Sequence, residues 1–113
     1  MLKKALLAAA CAAILPAFAA YPERPIQIIV PYSPGGGSDL ALRLFGETVK
    51  KHYPGTNVVI RNQPGGGGSI GTSAAINARP DGYTLGTGAQ GPLVIKPLIG
   101  GTDYKCTALF IRA

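Results

Sequence analysis

A chain of 113 residues with a net charge of +6, two cysteines and a single histidine has room for one small domain with one modest core. Its basic residues are scattered and no stacking aromatics interleave with them, which argues against a nucleic-acid surface. With so few histidines and cysteines, and no cluster of carboxylates, it also offers no metal-ligand set.

The first twenty residues have their own logic. Lys3 and Lys4 precede an uninterrupted small or apolar run over residues 5–15, Pro16 breaks it, and Ala17-Phe18-Ala19 supplies small residues where a signal peptidase reads. That tripartite pattern predicts a secretory signal, too short for a stable transmembrane span, with cleavage after Ala19 and a periplasmic destination. A buried apolar helix fits the flanks poorly, and a lipoprotein attachment at Cys11 lacks the usual leucine in Ala8-Ala9-Ala10. The mature chain would keep Cys106 as a lone thiol, which is unusual for an exported domain.

Beyond the signal, apolar runs alternate with glycine-rich turns. Residues 25–31 form a β-branched run bounded by prolines and predict a buried strand. Residues 32–37 are a loop. From Ser38 the pattern becomes helical, with Leu40, Leu44, Phe45 and Val49 on one side and Arg43, Glu47, Lys50 and Lys51 largely on the other. Ser38 is the expected N-cap, Asp39 complements the helix dipole from the first turn, and Glu47 precedes Lys51 at ion-pair spacing. Pro54-Gly55 stops this helix.

The unit then repeats. Residues 57–62 predict a second strand, 63–68 a second glycine loop, 69–78 a small-residue helix and 80–82 a turn. Residues 83–87 predict a third strand and 88–91 a third loop. The order implies an α/β fold with a parallel βαβαβ core and right-handed crossovers, in which ligands gather at the carboxyl ends of the strands.

The glycine loops carry the chemistry. Each opens a helix from the end of a parallel strand, so unpaired amides and positive helix ends converge on an anion such as a carboxylate. A single loop of this kind is more often only a tight turn; two in one α/β half favour a site. Gly66-Gly67-Gly68-Ser69-Ile70-Gly71 has the form of a dinucleotide fingerprint, but the acidic residue expected about twenty positions on is missing. A P-loop fails because no Lys-Ser/Thr follows the glycines. His52 ends a helix as a solvated residue. Ser33, Ser38 and Asp39 lack a second general base, so no catalytic residue and no cofactor is expected.

At this point the residues resemble a known family. Tyr21-Pro22-Glu23-Arg24-Pro25-Ile26, then Ile28-Ile29-Val30-Pro31-Tyr32 and Gly35-Gly36-Gly37-Ser38-Asp39, are similar to the start of the tripartite tricarboxylate transporter receptors, or Bug proteins. Residues 62–71 resemble that family's second loop, and Pro80-Asp81-Gly82-Tyr83-Thr84-Leu85 its third-strand entry. The resemblance implies a lobe of the type II periplasmic-binding-protein kind. It further implies a monomer that binds a small di- or tricarboxylate, acidic amino acid or aromatic acid and delivers it to membrane transporter subunits. Carried over, the ligand-binding positions are Ser33, Pro34, Gly35, Gly36, Gly37 and Ser38, then Gly66, Gly67, Gly68 and Ser69, with Thr87, Gly88 and Gln90 from the third loop. Asp39 matches an acidic position expected to organise the loop or an ordered water.

The same resemblance makes the chain incomplete relative to a two-lobed receptor. The expected division is a signal over 1–19, a partial first lobe over 20–100 and a divergent or truncated tail over 101–113. A truncated or frameshifted product, or a fragment, is the reading that follows. A non-functional remnant is the alternative, and an exported α/β hydrolytic enzyme using Ser33 or Ser38 a weaker one.

Overall fold

A computed structural model describes residues 21–105; the expected signal and cleavage site, and Cys106 with the rest of the tail, lie outside the described residues. The chain runs β1 (Ile26–Val30), α1 (Gly37–His52), β2 (Val58–Asn62), α2 (Ser69–Ile76), β3 (Thr84–Gly86) and α3 (Lys96–Ile99). A 3-10 turn at Gly66–Gly68 precedes α2, and a π-helical turn at Gly91–Ile95 precedes α3. The strands form one parallel sheet in the order β2-β1-β3, so the first strand made is the central one.

That placement follows from composition. β1 is the most β-branched run in the chain, and Ile28, Ile29 and Val30 are all buried. Successive side chains point to opposite faces, so burial of neighbours means that both faces of β1 are covered. β2 instead alternates, with half-buried Val58, Ile60 and Asn62 separated by exposed Val59 and Arg61. Connections leave β1 towards β2 and then cross back to β3; under the right-handed rule this puts α1 and α2 on opposite faces.

Both helices seat through glycine. A Cβ at Gly46 would lie 3.4 Å from the Cβ of Val58, so α1 meets β2 at a residue without a side chain. The expected apolar side of α1 is therefore corrected. Asp39 and Gly46 are buried and Leu42 and Val49 half-buried, whereas Leu40, Leu44 and Phe45 are 59%, 70% and 51% exposed. The close approach at Gly46 and the hydrogen bonds of Asp39 set the rotation of the helix, and the bulkier apolar side chains turn outward. The expected N-cap is corrected as well: Gly36, two residues earlier, is the N-cap of α1, and Ser38 lies inside the first turn without a capping bond. Glu47 and Lys51 form no ion pair among the described residues; the i,i+4 pair on this helix is Asp39–Arg43 at 2.9 Å.

On α2 the decisive residue is Gly71. A Cβ there would sit 2.6 Å from the carbonyl oxygen of Gln63 and 2.7 Å from the Cα of Pro31, so the helix lies directly on the backbone leaving β1 and β2. α2 ends at Ile76, two residues before the expected end, and Asn77 and Ala78 tail off through bonds to the Ser73 and Ala75 carbonyls. β3 is shorter than the expected 83–87, although Gln27 N–H to Tyr83 O (2.8 Å) and Thr87 N–H to Ile29 O (3.1 Å) continue the backbone pairing on either side. Helical structure after the third loop was not expected from the sequence. There Pro92 is fully buried, and the buried Tyr104 donates its phenol to the Pro92 carbonyl at 2.7 Å.

The amino ends of β1 and β3 are stapled together by exposed groups. The Tyr21 phenol donates to Gly82 O (2.6 Å), Glu23 N–H donates to the Tyr83 hydroxyl (2.9 Å), and Arg24 pairs with Asp81 (2.7 Å) while stacking over the Tyr83 ring at 4.2 Å. Arg24→Ala should lower stability by about 1 kcal/mol, because an exposed pair and a cation–π contact are each modest. Gly71→Ala should lower it by about 3 kcal/mol despite the better helix propensity of alanine, since the neighbours in the way are backbone atoms. Urea denaturation of the two variants checks the ranking; a Gly71→Ala protein as stable as the parent would contradict the packing.

Candidate functional site

The two glycine loops leave the sheet at one level. Val30 at the end of β1 is in register with Asn62 at the end of β2, and Gln63 N–H donates to Val30 O at 2.8 Å. Loop 1 (residues 31–36) and loop 2 (residues 63–68) therefore emerge side by side at the carboxyl edge of adjacent parallel strands, each running into a helix.

Asp39 ties them together. The residue is 2% exposed, and its carboxylate accepts three hydrogen bonds at 2.9 Å: from the Gly35 amide, the Arg43 Nε and the Asn62 Nδ2. Asn62 also donates to Tyr32 O (3.1 Å), and its Oδ1 accepts from Arg43 Nη2 (3.3 Å). A carboxylate in the first turn of α1 thus holds the tip of loop 1, its own helix and the end of β2. The Arg43 hydrogen bond, then those of Gly35 and Asn62, push the Asp39 pKa well below its ordinary 3.8 against the opposing effect of burial. The charge is also spent: it faces inward onto three donors, so it does not present an unpaired anion at the loop surface.

The remaining expected residues separate by whether their donors are already used. Gly35 N–H goes to Asp39, Gly68 N–H to Gly65 O (2.9 Å), Ser69 N–H to Gly66 O, and Ser69 Oγ also to Gly66 O (2.9 Å). Thr87 uses both its amide and its hydroxyl on Ile29 O at 3.1 Å. Pro34 has no N–H to give. Among the described residues, the amides of Gly36, Gly37, Ser38, Gly66 and Gly67 have no intramolecular acceptor. Ser33, Gly88 and Gln90 lie at the exposed edge of the same end of the sheet. In loop 2, Gly66 and Gly67 take φ of +57° and +64°, a left-handed path that glycine follows without Cβ strain. Asn62 and Lys96 were not among the expected positions. Lys96 reaches loop 2 from α3 and donates its Nζ to Gly66 O. No group of three or more His, Cys, Asp or Glu that could hold a metal occurs among the described residues.

Asp39 gives a pH-dependent prediction. Its folded pKa is depressed, so its stabilisation is full above the unfolded value of 3.8 and fades as pH falls through the folded value. Asp39→Asn should therefore lower the urea midpoint at pH 7, and the gap to the parent should close as pH drops below about 4. A gap that is constant from pH 7 to pH 3 would contradict the brace.

The chain matches no protein-family model. It is 48% identical over 65 residues to Protein BugT of Bordetella pertussis, covering 58% of this chain and 20% of that protein. A UPF0065 protein of Bordetella bronchiseptica is 37% identical over 79 residues, covering 70% and 23%. Among solved structures, a periplasmic transporter superposes with a TM-score of 0.70 at 36% identity, covering 77% of this chain and 29% of that one. A TctC solute-binding protein from Polaromonas gives 0.67 at 40% identity, covering 75% and 29%. An R. palustris protein solved with adipate gives 0.59 at 35% identity, covering 63% and 23%. The chain thus spans between 20% and 29% of the length of these proteins. The Polaromonas neighbour is a solute-binding protein, and over the part of their length that it spans this chain is similar to the Bug and TctC proteins.

Proposed function

We propose that the chain carries one wall of a periplasmic carboxylate-binding site, seating a ligand carboxylate on the outward amides of loops 1 and 2. The observation that carries this reading is the set of open N–H groups at Gly36, Gly37, Ser38, Gly66 and Gly67, side by side at the ends of β1 and β2. Two helix N-termini contribute partial positive charge there, and the Asp39 carboxylate is already neutralised by Arg43. Such a site asks for a small anion with paired oxygens. The adipate in the R. palustris relative makes a dicarboxylate the first choice of ligand. Export through the signal over residues 1–19, and delivery to membrane transporter subunits by the complete receptor, belong to the same proposal. One wall contacts one side of its ligand, so binding by this chain should be weak, in the millimolar range.

The test is an NMR titration of the ¹⁵N-labelled chain with adipate. Saturable shifts should centre on Gly36, Gly37, Gly66 and Gly67. Gly36→Leu, at an ordinary φ of −75° and with no atom nearer than 3.6 Å to the new Cβ, should fold normally and weaken binding at least about tenfold, a loss of about 1.4 kcal/mol. Adipate shifts that survive Gly36→Leu unchanged, or that map away from the loops, would remove the proposal.

A further inference from the structure

We infer that the groove beside α2, on the face of the sheet away from α1, is a second anion site, in which Arg24, Arg61 and Arg79 take a dianionic phosphate, free or as a small monoester. The site is independent of the carboxylate reading: it lies along the face of the sheet, not on the glycine amides at its carboxyl edge. A groove of about 350 Å³ runs between α2 and the strands. It exists because α2 packs over β1 and β3 and leaves Val59 and Arg61 of β2 exposed, and because α2 lines it only with Ala74 and Ala78.

The lining is selective in its cations. Of the four arginines among the described residues three border this groove, and none of the four lysines does. Arginine is the side chain whose planar fork matches two oxygens of a phosphate at once. The three come from separate elements: Arg24 precedes β1, Arg61 lies in β2 and Arg79 follows α2. A solvated stripe along one helix or strand does not produce that convergence. Their charge is also largely uncommitted. Asp81 is the one carboxylate on the groove, and both its oxygens are taken, by Arg24 at 2.7 Å and by the Tyr83 amide at 3.0 Å. Arg61 and Arg79 form no ion pair and no side-chain hydrogen bond among the described residues. Two unpaired guanidiniums facing one groove repel each other, and a phosphate with a charge near −2 at neutral pH offsets both. Arg24, stacked over the Tyr83 ring at 4.2 Å, borders the groove as the third cation. The space exceeds a bare phosphate, which leaves room for a small organic substituent.

The experiment titrates the ¹⁵N-labelled chain at pH 7 with inorganic phosphate and with glycerol phosphate, at ionic strength held constant with sodium chloride. It follows the side-chain Nε–H signals of Arg61 and Arg79 and the amides of Ala78 and Arg79. Both probes should give saturable shifts there in the millimolar range, weakening with added salt, and chloride alone should give none. Arg61→Gln and Arg79→Gln should each weaken phosphate about fivefold, and the double variant should abolish saturation. A Lys50→Gln, Lys51→Gln double variant removes the same charge from α1 and should match the parent. All four side chains are exposed, so these variants keep the fold. Tighter binding of glycerol phosphate marks a monoester as the occupant; equal or weaker binding marks free phosphate. Shifts confined to Gly36, Gly37, Gly66 and Gly67 would place phosphate on the loops alone, overturning the inference and sparing the carboxylate reading. Shifts that rise linearly without saturating overturn it too. So does a lysine variant weakened as much as the arginine pair, which reduces the groove to diffuse charge.

Discussion

The architecture at the loop end depends on one buried carboxylate. Asp39 is locked from three directions, by a loop amide, an arginine one turn along its own helix and an asparagine at the tip of the neighbouring strand. None of these bonds is unusual alone. Together they fix the rotation of α1, the height of loop 1 and its spacing from loop 2 with a single group. A buried charge is tolerable only when its hydrogen-bonding capacity is met, and here that requirement becomes a geometric constraint. The brace also divides labour: the acidic side chain holds the loop from within, and the amides of the neighbouring glycines stay open.

Packing elsewhere follows a similar economy. At Gly46 against Val58, Gly71 against Pro31 and Gln63, and Gly86 against Ala75, elements meet with no side chain between them on one partner. Such contacts set distances tightly, which suits a sheet end whose loops must sit at defined heights. They also bury little apolar surface, and the described core is small: Ile28, Ile29, Val30 and Tyr104. Leu40, Leu44 and Phe45 on α1, and Leu98 and Ile99 on α3, remain exposed in a chain that spans less than a third of its relatives.

Much of this was legible in the sequence, and the misses have physical reasons. Strands and loops were visible because β-branched runs are cut by Gly and Pro clusters, and these rarely mislead. The rotation of α1 was misread because periodicity counts large apolar side chains, whereas the helix is seated by a residue with no side chain and by a carboxylate. The helical stretch after β3 carries Pro92 and Pro97 in the first turns of its segments, where proline is tolerated because no N–H is required. At the site, the glycines could be found from sequence, but which amides are already used could not. That distinction separates Gly35, Gly68, Ser69 and Thr87, whose donors have internal acceptors, from Gly36, Gly37, Ser38, Gly66 and Gly67, whose amides are open. Asn62 was in view at the end of β2, beside a glycine loop, and a polar residue closing a strand on its half-buried face was the signal that could have singled it out.

The sheet order has a consequence for the time course of assembly. β1 needs both partners, and its second, β3, begins 58 residues after β1 itself begins (Ile26 to Thr84). Parallel pairing admits no hairpin shortcut, so every sheet contact is non-local, and such topologies close slowly. Until residue 86 is available, the most apolar strand of the molecule has one edge bare. A chain built this way cannot close its sheet until all three strands are in place.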